Sequence, residues 1–372
     1  MTIDDYAEIV KNGRHLIDLR APVEFAKGSF PDTVNLPLMD DREREMVGTE
    51  YKKRGNEAAL ALGHSLVSGR KREERIRKWV EEIEKRPDSY IFCWRGGQRS
   101  AIVQKWIEEA SGIRVPRIEG GYKAFRNFLM SSGLEIAQRN DILIIGGRTG
   151  CGKTILLSRI PDSIDLEGLA GHRGSAFGRY AYPQPTQISF ENALYYEMLG
   201  VDDLSTGRIV IEDESRNIGQ RYIPPEIFSI FQRGEVVILE ASLEERVEIS
   251  YRNYVLDSQK EYAQALEDGI CPYDWYETML HNFGRIRKRL GDARYRKFTA
   301  MFEDAWRYQK RTSDPSAHKE WISALLSEYY DPMYDFQIEK KRDRIVFRGD
   351  AKEVEEYILS KRQSPHTPSI RR

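Results

Sequence analysis

Two short stretches of the chain carry residue types that do chemistry. The first is YIFCWRGGQRS, residues 90–100, where Cys93 closes an apolar run and Arg95, Gly96, Gly97 and Arg99 follow. A thiolate is the nucleophilic form of cysteine, and nearby arginines and a helix start favour it. Two glycines free the loop to turn its N–H groups inward, so Cys93, Arg95 and Arg99 can work together on an anionic donor. The second stretch is GRTGCGKT, residues 147–154, which satisfies G-x-x-x-x-G-K-[ST]. Gly147, Gly150 and Gly152 let amides surround a phosphate, Lys153 reaches its outer oxygens, and Thr154 can hold Mg²⁺. The pattern leaves the ligand open: a nucleoside triphosphate is the default, and any diphosphate meets the same electrostatics. Cys151, within the loop, reads as structural.

Strands and helices must place these loops. YIFC reads as a buried strand, and SAIVQKWIEEA as a helix with Ile102, Val103, Trp106 and Ile107 on one side. Upstream, HLIDLR and TVNLPL are strands, PVEFAKGSF is a turn with a short helix, and residues 40–85 are polar and helical. This alternation predicts an α/β domain with a mostly parallel sheet over residues 1–132, closed by SSGLEIAQRN as a linker. A second α/β domain is predicted over 138–361, with strands DILIIG, GRIVIED and GEVVILEA and a mainly helical insertion near 243–330. MYDFQIEKKRDRIVFRGD reads as a hairpin turning near Arg342, AKEVEEYILSK as a closing helix, and residues 362–372 as a disordered tail.

Further positions could assist. Glu212 and Asp213 end the strand of GRIVIEDES, where a carboxylate would face Mg²⁺ or a water; a solvated acidic strand end is the plainer reading. His172 and Arg173 sit among glycines in GHRGSAFGRY, placed to touch a substrate phosphate or base. A net charge of −1 over 372 residues provides no global field for nucleic acid, so such binding needs a local patch. The best patch is GRIRKRLGDARYRKF, with Arg285, Arg287, Lys288 and Arg289. Three cysteines without framework spacing fit free thiols in a reducing compartment. Without Cys/His clusters, neither a protein-only metal site nor a bound organic cofactor is predicted. MTIDDYAEIV lacks the features of a secretory signal, and no run approaches the ~20 apolar residues of a membrane span, which predicts a cytoplasmic protein without membrane partners.

LIDLRAPVEFAKGSFPDTVNLPL resembles the N-terminal half of rhodanese-like domains, with Asp18, Arg20, Glu24, Gly28, Asn35 and Pro37 at matching places. The resemblance implies that Cys93 is a nucleophile carrying a chalcogen as persulfide or perselenide, and that Asp18 and Arg20 support its loop. Arg99 stands in a C-x5-R spacing, one residue longer than in common sulfur-transfer loops. Phosphatases share that spacing, but Phe92 replaces their usual histidine and no acid is evident, so that reading ranks lower. The longer loop predicts a cradle wide enough for phosphate or selenophosphate. Together with DLEGLAGHRGSAFG, PTQISFENAL, IEDESRNIG and VGTEYKKRGNEAALALGH, both loops resemble the tRNA 2-selenouridine synthase family over nearly the whole chain. That family resemblance implies replacement of sulfur by selenium in wobble 2-thiouridine of tRNA. Selenophosphate from a selenophosphate synthetase would be the donor, and geranyl diphosphate would first alkylate the thiocarbonyl sulfur. Two alternatives stay open: an ATP-dependent tRNA sulfurtransferase, and a P-loop kinase or switch with a rhodanese-like binding module. The intact trio Cys93, Arg95 and Arg99 weighs against the last.

Overall fold

The computed structural model describes residues 2–204 and 206–361; the tail at 362–372 lies outside the described residues. Among the described residues two compact units emerge, one within 2–136 with 186–203 and one within 137–185 with 204–361.

The first unit holds β1 (Thr2–Ile3), β2 (Leu16–Asp18), β3 (Thr33–Asn35), β4 (Tyr90–Phe92) and β5 (Arg117–Ile118) in the order β1-β5-β4-β2-β3. Every pairing is parallel. Leu16, Ile17, Ile91 and Phe92 are fully buried, which explains why these strands read as unbroken apolar runs rather than alternating ones. The helix Gln98–Ser111 follows the Cys93 loop and buries Val103, Trp106 and Ile107. The polar stretch after residue 40 forms a helix over Asp41–Leu66, capped by Asp40 and Glu43 in a reciprocal box and kinked at Gly55 (φ 84°). A second helix, Gly69–Lys85, packs Trp79 and Ile83 inward.

Two elements differ from the sequence reading here. SSGLEIAQRN does contain the division between the units, after Ile136, but it is helical and not an open linker: one helix runs Gly121–Arg139, because Phe125, Leu129, Ile136 and Ala137 keep a helical apolar stripe while Ser131 faces solvent. The helix Gln187–Asp203, assigned from sequence to the second domain, packs in the first unit. Phe190, Leu194 and Met198 are fully buried, and the amide of Asn192 donates to the carbonyl of Ser29 (2.8 Å) and the hydroxyl of Tyr122 (3.2 Å).

The second unit contains β6 (Asp141–Gly146), β7 (Ser163–Ile164), β8 (Arg208–Glu212), the hairpin β9 (Asn217–Ile218) and β10 (Arg221–Tyr222), β11 (Glu235–Leu239) and β12 (Ile345–Gly349). Its five-stranded sheet is parallel in the order β12-β11-β6-β8-β7. The expected hairpin at 333–350 is absent: Asp331–Glu339 is helical and β12 pairs parallel with β11. Pro332 in its first turn favours a helix start, and the short alternating run carries no period strong enough to oppose it. The helices between residues 243 and 330 close around Trp275, Phe283, Phe298, Phe302 and Trp321, broken by π-helical turns at Arg252–Leu256 and Leu326–Tyr330. No helix among the described residues is long and apolar enough to cross a membrane.

Candidate functional site

Each chemical loop leaves the carboxyl end of a central strand, between neighbours reached by opposite crossovers, where ligands bind in open α/β sheets. The Cys93 loop follows β4, which lies between β2 and β5. Its shape depends on glycines packed backbone to backbone. A Cβ on Gly96 (φ 61°) would lie 2.6 Å from the Ile118 carbonyl, and one on Gly121 (φ 59°) 2.2 Å from that of Cys93. The Cys93 carbonyl accepts from Tyr122 N–H (2.9 Å), and the Gly96 carbonyl accepts from Arg117 (2.7 Å).

Beneath the loop, Asp18 and Arg20 form a fully buried pair, with Arg20 Nη2 2.6 Å from Asp18 and 2.8 Å from the Gly28 carbonyl. The guanidinium lies 3.7 Å from the centre of the Tyr122 ring. Asn35 ties the carbonyls of Asp18 and Arg20 together. These residues brace the loop, as the rhodanese-like pattern implies, and line no part of the Cys93 cavity.

Cys93 is a free, buried thiol whose S–H donates to Ser100 Oγ (3.5 Å). It lies on the wall of a cavity of about 850 Å³, together with Arg95 and Arg99. Arg99 donates to Glu24 (2.8 Å), and Arg44 approaches the same carboxylate at 3.3 Å. Burial raises the Glu24 carboxyl, but Arg99, the Ala21 N–H and Arg44 outweigh it and hold the group below the usual range. Arg95 is exposed and has no carboxylate partner among the described residues. Sequence reasoning placed Glu24 in a motif without seeing that it accepts from Arg99, 75 positions on.

The second loop, residues 147–154, follows β6 between β8 and β11. Gly150 has φ 80°, and a Cβ there would lie 2.6 Å from Ser250 Oγ and 2.9 Å from the Arg246 carbonyl. Arg246 is itself buried and clamped by Asp331 through two bonds of 2.6 and 2.8 Å, and Arg148 is clamped by Asp335 (2.7 and 2.8 Å). Gly150, Gly152, Lys153 and Thr154 line a cavity of about 360 Å³ with Asp165, Glu167, Arg173, Tyr180, Tyr254 and Tyr334. Gly147 lies outside that lining, its Cβ position 2.8 Å from Cys151 Sγ. Cys151 itself is buried in the apolar cluster under the loop, as expected.

Lys153 is the electrostatic centre of this cavity. Burial disfavours its ammonium, but Cys151, Tyr334, Glu167 and Glu214 around it reverse that and raise its pKa. Burial and Glu214 push Glu167 up to about 9, while burial raises Glu214 as well. Glu212 accepts the Glu167 N–H (2.7 Å) and is pushed up to about 8 by burial, then by Asp165 and Glu214. Asp213 is held by Lys341 (2.5 Å). Glu212 and Asp213, the pair chosen from sequence, therefore line no part of the loop cavity, whereas Asp165 and Glu167 do. Glu167 sits in the DLEGLAGHRG segment, but its distance from the loop in sequence hid the pairing. Tyr334 was missed because its helix read as a strand.

A raised carboxyl makes the native state bind protons more tightly than the unfolded chain. The contribution of Glu212 is complete below its ordinary 4.5 and is lost as pH climbs towards about 8. Glu212→Gln should therefore flatten the fall in stability of the second unit across that window, by a few kcal/mol in order of magnitude. Urea midpoints at acid and mildly alkaline pH measure it; a variant that keeps the wild-type slope would place the titration elsewhere.

His172 and Arg173 separate in the fold. Arg173 reaches the loop cavity, pairs with Glu261 (2.9 Å) and lies 3.9 Å from the Tyr180 ring centre. His172 is buried outside it and pulled down to about 4, by burial first and then by Arg179, Arg285 and Arg173. Arg285, Arg287, Lys288 and Arg289 are all exposed on the helix Trp275–Leu290. Arg287 is engaged by Asp292 (2.8 Å). Arg179 lies near enough to Arg285 to disfavour its charge, after burial, and neither guanidinium has a carboxylate partner among the described residues. No group of three or more His, Cys, Asp or Glu among the described residues is arranged to hold a metal.

A family model described as the tRNA 2-selenouridine synthase AAA domain matches residues 140–365, and one described as a rhodanese-like domain matches residues 2–128. A tRNA 2-selenouridine synthase of Sulfurovum sp. (strain NBC37-1) is 48% identical over 354 residues, covering 95% of this chain and 97% of that one. Those of Cupriavidus pinatubonensis (strain JMP 134 / LMG 1197) and Pseudomonas aeruginosa (strain LESB58) are 45% and 44% identical, each over 355 residues and 95% of this chain, and 97% and 96% of their own. With both units matched at this identity, the chain belongs to the tRNA 2-selenouridine synthase family, a rhodanese-like unit joined to an AAA-type P-loop unit.

Proposed function

We propose that this chain replaces the sulfur of wobble 2-thiouridine in tRNA by selenium, through an S-geranyl intermediate. The observation that supports this most is Cys93 on the wall of a roomy cavity, with Arg95 free at its rim, in a chain whose second unit carries a glycine-built phosphate loop.

At the phosphate loop, Lys153 and the loop amides hold the diphosphate of geranyl diphosphate. The thiocarbonyl sulfur bonds to the first carbon of the geranyl group, the carbon–oxygen bond breaks, diphosphate leaves with the electron pair, and the uracil N3 proton is lost. Thr154 and the diphosphate would hold Mg²⁺, which supplies neutralisation of the leaving charge when bound. Lys153, which lines the cavity with its charged form favoured, brings positive charge to the same task.

At the Cys93 loop, the thiolate attacks C2 of the alkylated uracil and displaces geranylthiolate, an exchange without net redox change. The selenium of selenophosphate then displaces Cys93 from C2, and water cleaves the selenium–phosphorus bond to give phosphate and 2-selenouridine, reprotonated at N3. Carriage as a perselenide on Cys93 would instead require an oxidant to load the selenium and a reducing thiol to release it. Arg95 and the inward N–H groups receive the phosphoryl oxygens, and Trp94, 39% exposed beside them, offers a face for the uracil ring. The test is mass analysis of wobble nucleosides after incubating the protein with 2-thiouridine tRNA, geranyl diphosphate and selenophosphate. Nucleosides carrying neither geranyl nor selenium, or selenium incorporation that demands ATP, would overturn the reading.

Arg179, Arg285 and the rest of its helix would grip the tRNA backbone. Neutralising Arg285, Arg287, Lys288 and Arg289 together should weaken tRNA binding on the order of tenfold or more at moderate salt and reduce the salt slope by up to about 4. Filter binding across a salt series measures both, and an unchanged slope removes the helix from the contact.

A further inference from the structure

The cavity beside Cys93 is larger than a tetrahedral anion requires, and much of its wall is apolar. Its volume of about 850 Å³ is in the range that holds drug-sized ligands, about 300–1,000 Å³. The kink at Gly55 divides the helix Asp41–Leu66 into two arms, and both line the space: Val47 on the first, Ala59 and Leu60 on the second. Leu38, Met39, Val67, Ile102 and Trp106 complete an apolar interior, while Lys52 and Arg95 provide cationic groups and Arg44 and Arg99 share the Glu24 carboxylate, with Glu45 also in the lining. An apolar chamber with a thiol in its wall and cations around it fits one chemical class: a hydrocarbon chain attached through sulfur to an anionic carrier.

We infer that this chamber is a prenyl site, which receives the geranyl chain of the S-geranylated wobble uridine while Cys93 attacks C2. The inference rests on the geranyl route proposed above and adds where the alkyl chain goes. The geometry of the reaction demands a site of this kind. The bond that breaks at C2 joins the ring to the geranyl sulfur, so the chain must lie within one nucleoside's reach of Cys93 Sγ. The chamber begins at that sulfur. Burial of the chain also gives the enzyme a reason to favour an alkylated uridine over a plain one, since removing apolar surface from water is favourable and an unmodified thiocarbonyl brings none.

The test uses the full-length protein and tRNA anticodon-stem oligonucleotides carrying S-geranyl- or S-methyl-2-thiouridine, with selenophosphate supplied and 2-selenouridine measured by mass. The wild type should convert the geranyl form on the order of 100-fold more efficiently than the methyl form at sub-saturating substrate. Ala59→Trp, which places an indole in the chamber, should bring that ratio to within a few-fold. Leu60→Trp serves as a second filling variant, and thermal unfolding checks that each is folded. Equal conversion of both substrates by the wild type, or a geranyl preference that survives in folded filled variants, overturns the prenyl site while leaving the route intact. Conversion of neither substrate overturns the route itself, and the site with it.

Discussion

Cys93→Ser should abolish selenium incorporation, by roughly 10³-fold or more, and leave geranyl transfer within about twofold of the wild type. Serine keeps the size of the side chain and can still bond to Ser100, 3.5 Å from the sulfur in the wild type, so the loop folds as before. What it loses is the sulfur nucleophile that attacks C2. Geranyl transfer is assigned to the other unit and does not use the thiol. The variant should therefore accumulate S-geranyl tRNA, visible by nucleoside mass. A second readout tests the order of events. Wild type given S-geranyl tRNA without selenophosphate should form a protein–tRNA adduct stable on a denaturing gel, and Cys93→Ser should form none. If the wild type instead gains one selenium atom on Cys93 from selenophosphate together with a two-electron oxidant, and a reducing thiol then releases it into S-geranyl tRNA, the perselenide route holds and the displacement sequence falls. Loss of geranyl transfer in the variant would break the assignment of one step to each unit.

Lys153→Ala gives the complementary result. Removing the ammonium takes away the charge that receives the departing diphosphate, and geranyl transfer should fall by about 10² to 10⁴-fold. Lys153→Arg keeps the charge but not the compact ammonium, and should recover only part of the rate. Presynthesised S-geranyl tRNA bypasses the step, so selenium incorporation by Lys153→Ala should return to near the wild-type level when that substrate is supplied. A variant that transfers geranyl normally, or fails to be rescued, would sever the phosphate loop from the first half-reaction.

Both loops were legible because their chemistry is written in contiguous residues: a strand, a glycine turn, a charged or nucleophilic side chain and a helix. The parallel sheets followed from apolar runs alternating with helical stretches. The partners of the loops were hidden because they come from distant segments. Glu24 reaches Arg99 from 75 positions away, and Asp331 reaches Arg246 across 85. Asp213 was legible as a strand-end acid, yet Lys341, 128 positions on, occupies it. The hairpin misreading at 333–350 came from a short alternating run that fits either period, decided by Pro332 and by pairing with β11. The linker misreading came from weighing Ser131, Ser132 and Gly133 by composition, when Gly133 is instead a contact point that admits the ring of Tyr195.

The helix Gln187–Asp203 has a consequence for how the chain is made. The first unit is discontinuous in sequence: residues 137–185 intervene before the segment that supplies Phe190, Leu194 and Met198 to its core. Domains generally fold as units during synthesis, the N-terminal one first. Here the ribosome must deliver the glycine-rich phosphate loop and its following segment before the N-terminal sheet can be sealed. A fragment ending at residue 136 would lack that helix and expose the apolar face it covers, whereas one ending at residue 203 would retain every segment of the first unit.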